Sequence, residues 1–193
     1  MIFGFDFDNT IINYDNVFYN SALKKKLIDK KVKRNKEIIK KILIKKKGIR
    51  EWIKLQSIVY SKEINKAKPN YKLIIILKFL KKRKIKFYIV SHKTKFPYYG
   101  QKVDLHKISK NWLDKNIFNK KNKLGKCKYY FESSIQKKIA RIKKLKITHF
   151  IDDLKEIIDL LPDNMTRILY KNKNFNAYVI KNLIKKELQY KNL

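Results

Sequence analysis

One cysteine, Cys127, in 193 residues excludes an internal disulfide framework and any zinc site built on several thiolates. Four glycines and three prolines are too few for a collagen-like, linker-like or low-complexity chain. Long apolar runs are also missing. None exceeds the five residues Leu73 to Leu77, far short of the ~20 needed to span a bilayer. At the N-terminus Asp6 arrives before any basic segment or long apolar stretch, so no secretory leader is read there. The expectation is a soluble protein of a reducing compartment, most simply the cytoplasm, with no membrane partner.

Acidic residues are scarce too, 16 against 50 Lys plus Arg, a formal charge of +34. Taken alone, that excess is the footprint of a nucleic-acid or anionic-surface binder. Yet 45 of the 50 cations are Lys and only 5 are Arg, whereas phosphate and base recognition favours the bidentate guanidinium. Lys, Ile and Asn together make up 91 residues, and all three have codons of A and T alone. Drift in base composition accounts for the charge as well as selection for a polyanion does. The lysines are also spread over every segment instead of being gathered in one arm.

What is present is 44% hydrophobic residue interleaved with charge, enough to bury a core. At ~150 residues per domain the length predicts one domain with room for an insert. Ile2 to Phe7 reads as a short buried strand. From Tyr14 to Ala67 apolar residues recur at helical spacing, with Gly48 separating two helices. Strands follow at Ile85 to Val90 (stopping at Ser91), Tyr129 to Phe131, Ile147 to Ile151 and Arg167 to Tyr170. Helices alternate with them at Tyr71 to Arg83, Asp104 to Lys115, Ile135 to Leu145, Leu154 to Leu161 and Asn176 to Leu188. Such alternation predicts an α/β fold, a doubly wound parallel sheet, with a helical insert after the first strand.

Ligands of open parallel sheets sit beyond the carboxyl ends of the strands. Three predicted strand ends carry polar groups there: Asp6, Asp8 and Thr10; Ser91; and Asp152 with Asp153. Carboxylates converging on one edge repel unless a cation lies among them, and hard oxygen donors point to Mg²⁺. Asp6 and Asp8 share a face of an extended chain, and a turn at Asn9-Thr10 can re-aim the second. One carboxylate then serves as nucleophile while the other handles protons.

Ile2-Phe3-Gly4-Phe5-Asp6-Phe7-Asp8-Asn9-Thr10 resembles the first motif of the haloacid dehalogenase (HAD) superfamily, a hydrophobic strand followed by Asp-x-Asp-x-Thr. Phe87 to Ser91 is similar to its second motif and Phe150-Ile151-Asp152-Asp153 to its fourth, with Asp-Asp in place of the glycine-preceded acid. The resemblance covers about residues 1–170. It implies a Rossmann-like core over 1–12 and 69–193, a small helical cap over 13–68, and Mg²⁺-dependent hydrolysis of phosphomonoesters. Asp6 would be the nucleophile that forms an aspartyl-phosphate. Asp8 would protonate the leaving alcohol and then deprotonate the hydrolysing water. Mg²⁺ would rest on the Asp6 carboxylate, the Asp8 backbone carbonyl and Asp153, with Asp152 orienting a water or holding the third-motif lysine. That lysine is Lys138 or its neighbour Lys137. It would bind the phosphate together with Ser91 and Thr10, the threonine chiefly fixing the turn. The presence of Asp8 favours ester hydrolysis over carbon–halogen cleavage, because the superfamily's dehalogenases lack that second aspartate.

His92, Lys93 and His106 are candidates for substrate contact beyond the phosphate, against a plain loop or structural role for each histidine. His149 reads as a strand residue, Trp52 as packing and Cys127 as an inert thiol. The implied substrate is a small phosphorylated metabolite, a sugar phosphate or nucleotide. Alternatives are a polynucleotide end phosphatase, which would use the basic surface directly, and a non-catalytic nucleic-acid or partner-binding protein that keeps the fold.

Overall fold

Ile2–Phe5, the strand β1, is apolar on both faces, and such a strand is satisfied only with helices on either side of it. The computed structural model describes residues 1–171 and 176–190. After β1 come a two-residue strand β2 (Ile12–Asn13), helices α1 (Asp15–Lys24), α2 (Lys36–Lys47) and α3 (Ile49–Tyr60), and a second short strand β3 (Lys68–Pro69). The chain then alternates: α4 (Tyr71–Lys82), β4 (Lys86–His92), α5 (Leu105–Asn116), β5 (Tyr129–Glu132), α6 (Ile135–Lys144), β6 (His149–Asp152), α7 (Lys155–Asp159), β7 (Thr166–Leu169) and α8 (Ala177–Tyr190). Five strands form a wholly parallel sheet in the order β5-β4-β1-β6-β7, with β1 at its centre. The fold is α/β, as the alternation predicts.

Each face of the sheet has its own core, which is what winding in both directions requires. Phe3, Phe5, Ile89 and Ile151 pack with residues of α4, α5 and α8, including Leu77, Trp112 and Ile184. Val90 and Phe150, one residue out of phase, pack with Ile142 of α6 and Ile158 of α7. Gly4 lies under the Phe150 ring, where a Cβ would meet a ring carbon at 2.5 Å. His149 is buried and stacks on Phe3 with ring centroids 4.5 Å apart.

Two local features depart from the sequence expectation. The second long strand does not stop at Ser91: β4 runs through His92, because Ser91 and His92 pair with Phe131 and Glu132 of β5. The ribbon of β2 and β3, antiparallel with Ile12 opposite Pro69 and Asn13 opposite Lys68, lies at the two expected boundaries of the helical insert, where no strand is read from sequence. It laces together the points where the chain leaves the sheet for α1–α3 and returns from them. Gly48, at φ +85°, ends α2 and opens α3, as expected. Trp52 is buried and stacks on Phe18 at 5.0 Å, a packing role. Among the described residues no helix is long and apolar enough to cross a membrane.

Candidate active site

The carboxyl edge of the sheet gathers its polar groups from β1, β4, β6 and the first turns of α6. Asp6 follows β1 directly, and its amide donates to the Ile151 carbonyl at 2.8 Å, so the ladder to β6 holds it. Beyond it the chain turns sharply. The amides of Ile11 and Ile12 donate to the Phe7 carbonyl, and Asn9 adopts φ +58°, a conformation asparagine tolerates. Buried Asn70 pins this turn by donating from its side chain to the Thr10 carbonyl.

Asp6 is buried, and its Oδ1 accepts from the Ser91 hydroxyl at 2.9 Å and from the Lys138 ammonium at 2.6 Å. Lys138 also donates to Asp152 Oδ2 at 2.6 Å, while Asp152 Oδ1 accepts the Leu154 amide at 3.0 Å. Lys138 is only 1% exposed. Its neighbour Lys137 is exposed and reaches the Ser133 hydroxyl instead, so Lys138 is the one brought to the acidic cluster. The Ser134 side chain caps α6 by accepting the Lys137 amide, fixing the turn from which Lys138 points inward.

Carboxylate oxygens of Asp6, Asp152 and Asp153 all lie within 4.8 Å of one another. Burial raises Asp6 to about 7, with Lys138 pulling down and Asp152 and Asp8 pushing up. Burial and the charge of Asp6 raise Asp153 to about 8, against the pull of Lys36. For Lys138 burial works against the charged form, but Asp6 and Asp152 hold the ammonium above its ordinary range. The cluster thus holds more negative charge than its lysine balances. Its donors are hard oxygens without a thiolate or imidazole, so they fit a divalent cation of the Mg²⁺ type, whose charge would relieve the repulsion.

The remaining sequence candidates fall into different places. Thr10 is fully buried, and its hydroxyl donates to Asp153 Oδ1 at 3.4 Å, so it faces the acidic cluster. Both oxygens of Asp8 accept from the Lys93 ammonium, at 2.9 and 2.7 Å. Lys93, read from sequence as a candidate substrate contact, lines the cavity with its ammonium in this ion pair. It is 4% exposed and sits 4.4 Å from the centroid of the Tyr60 ring. His106 serves this arrangement, not the cavity, because its Nε2–H donates to the Lys93 carbonyl at 2.8 Å. His92 is exposed and lines the cavity, its imidazole held below its ordinary range by burial and by Lys138. Burial pushes the Cys127 thiol up to about 12, in keeping with an inert side chain.

A cavity of about 410 Å³ opens over Asp6, Asp8 and Lys138, closed on the far side by α2 and α3. Three residues of this region were not picked out by sequence reasoning: Lys36, Tyr60 and Asn70. Burial alone would lower the Lys36 ammonium, but Tyr60, Asp153, Glu37 and Asp8 carry it above its usual range. Burial pushes the Tyr60 phenol up to about 12, aided by Asp8 and opposed by Lys36. In sequence Lys36 is one of many lysines and Tyr60 one of 12 tyrosines, with no local pattern to mark either. Asn70 just before a helix does carry a signal, that of a cap, although its side chain is spent on the turn after β1.

No protein-family model matches the chain, and no curated protein matches it. Among solved structures the chain is similar to a HAD-superfamily hydrolase from Ehrlichia chaffeensis, at 20% identity and a TM-score of 0.48 over 96% of each chain.

Proposed function

We propose that the chain is a Mg²⁺-dependent phosphomonoester hydrolase of the HAD type that acts through an aspartyl-phosphate on a small phosphorylated metabolite, a sugar phosphate or nucleotide. The observation that carries this reading is the engagement of one Asp6 oxygen by both Ser91 and Lys138, with Asp153 beside them and Asp8 two residues on. A carboxylate so held is oriented for attack, and the groups that hold it are those an incoming phosphoryl group needs.

Asp6 attacks phosphorus in line, forming an acyl-phosphate bond as the bond to the leaving oxygen breaks. Asp8 gives that oxygen a proton and then takes one from the water that hydrolyses the intermediate. Lys93 holds the Asp8 carboxylate in place through both of its oxygens. Ser91 and Lys138 donate to the phosphoryl oxygens, while Asp152 keeps Lys138 aimed. Asp6, Asp153 and the Asp8 carbonyl are the groups that would hold Mg²⁺, with Thr10 steadying Asp153. When bound, the cation neutralises charge on the transferring group. Residues 13–68 act as a cap on the core, closing over the cavity and excluding water, in a protein of the cytoplasm.

Hydrolysis of p-nitrophenyl phosphate, measured with Mg²⁺ and with chelator, tests the reading. Turnover that depends on the metal and drops by roughly 10³-fold or more in Asp6→Asn is expected. A panel of phosphorylated metabolites, scored by released phosphate, then narrows the substrate. No metal-dependent turnover of any phosphate ester would leave the non-catalytic alternative in possession.

A further inference from the structure

Helix α2 carries six lysines, and they do not share one environment. Lys41, Lys45, Lys46 and Lys47 are exposed, as on any solvated helix face, whereas Lys36 and Lys40 are half-buried. Those two lie one turn apart on the same face of the helix. Both line the cavity that holds Asp6.

Lys36 is the more constrained. Asn35 caps the helix by accepting the Ile38 amide at 3.0 Å, and Asp15 of α1 accepts the Lys36 amide at 2.9 Å. Only 12% of its side chain is exposed, so the ammonium has given up most of its hydration. Among the described residues the carboxylate within 4 Å of it is Glu37, at 3.8 Å, whose own side chain is 52% exposed. Glu156, also exposed, stands at the same cavity. Water screens both of these acids, while Asp153 and Asp8 act on the ammonium from beyond ion-pair distance.

The scissile phosphate is already provided for. Ser91 and Lys138 meet it at Asp6, and Lys93 is occupied by Asp8. Lys36 and Lys40 are therefore cations beyond what a lone phosphate requires, carried on the opposite wall. We infer that Lys36 and Lys40 form a second anion subsite, so that the substrate is a small phosphomonoester bearing a further acidic group, a carboxylate or second phosphate, away from the scissile bond. The inference rests on the hydrolase reading above and adds to it the chemical class of the substrate. A cavity of about 410 Å³ suits a metabolite of that size.

Two esters with one carbon skeleton test it: 3-phosphoglycerate carries a carboxylate where glycerol 3-phosphate carries a hydroxymethyl group. With Mg²⁺, kcat/KM is expected to favour the carboxylated ester by roughly 10-fold or more. Lys36→Met and Lys40→Met should each erase most of that ratio through KM, while Lys36→Arg keeps it. Melting curves identify a variant that fails to fold, and the exposed end of Lys40 makes Lys40→Met the safer of the two. Calorimetric binding of both esters to Asp6→Asn protein supplies a readout independent of turnover. Preferential binding without hydrolysis of any ester would retain the subsite and overturn the hydrolase reading. Equal kcat/KM for the two esters, equal binding, or a ratio that neither methionine variant moves would overturn the subsite.

Discussion

Asp6 and Asp153 are each ordinary carboxylates made costly to ionise by where the chain puts them, raised to about 7 and about 8 from 3.8. The unfolded chain releases both protons near pH 4, whereas the metal-free folded protein keeps them until about those values. Between the two the native state binds more protons. Their contribution to stability therefore falls as pH rises from about 4 to about 8 and levels off above that. Asp153→Asn removes one of the opposed charges and eases the other. In chelator, its melting temperature should gain on that of the wild type between about pH 5 and about pH 8. Saturating Mg²⁺ should reverse the order, because the ion stabilises only the protein that can hold it. A difference in melting temperature that ignores both pH and Mg²⁺ would contradict the cluster's electrostatics. At this scale the sequence was informative where a residue type had few competitors. Asp6, Asp8, Asp152 and Asp153 are four of just 16 acids, and their strand-end positions single them out. The lysine was ambiguous, since Lys137 and Lys138 differ only by about 100° around a helix, and only folding shows that Lys138 is the one buried against Asp6.

Elements were legible in proportion to their length and the clarity of their period. The five strands of the sheet and helices α4 to α8 lie within a few residues of the expected bounds, since apolar spacing reports directly on the face that is buried. Gly48 divides α2 from α3 as expected, but the break between α1 and α2 had no such mark. What escaped were features made by pairing with a distant partner. The last two residues of β4 look like loop in sequence and become strand only because β5 lies alongside. The two-residue strands β2 and β3 are too short to leave any period at all. Close packing between elements makes its own prediction. Gly4 on β1 sits where an added methyl would collide with the Phe150 ring at 2.5 Å and with Ile147 at 2.9 Å. Gly4→Ala should cost ~1–3 kcal/mol through overpacking, read from urea denaturation midpoints. A shift under ~0.5 kcal/mol would mean that β6 yields more easily than a close-packed layer should.

At the scale of the molecule, the charge of +34 surrounds a site in which Lys93 and Lys138 are paired with acids. Long-range attraction and local chemistry are thus separable. Raising salt from about 50 to about 500 mM should increase KM for a small phosphate ester by no more than a few-fold and leave kcat unchanged, because distant charges are screened and the buried pairs are not. A steep loss confined to oligonucleotide ends would favour the polynucleotide reading instead, since displaced counterions make such binding strongly salt-dependent. Steady-state kinetics on both substrate types at several salt concentrations separate these outcomes. The architecture was the most legible level of all, because alternation of strand and helix admits few topologies. The inner wall of the cavity was the least legible. In a chain with 45 lysines, Lys36 becomes distinct only when α2 is folded across the cavity from the sheet's edge.

The antiparallel ribbon that joins Ile12 to Pro69 and Asn13 to Lys68 makes the exit and the re-entry of the inserted helices a single doorway. The residues on the near side take their backbone partners from the sheet and the ribbon, while the inserted helices share one apolar core with them. A short turn grafted across that doorway would remove the α2 and α3 wall and lay the cavity over Asp6 open to water. The ribbon is four residues in all, yet both ends of the inserted helices hang from it.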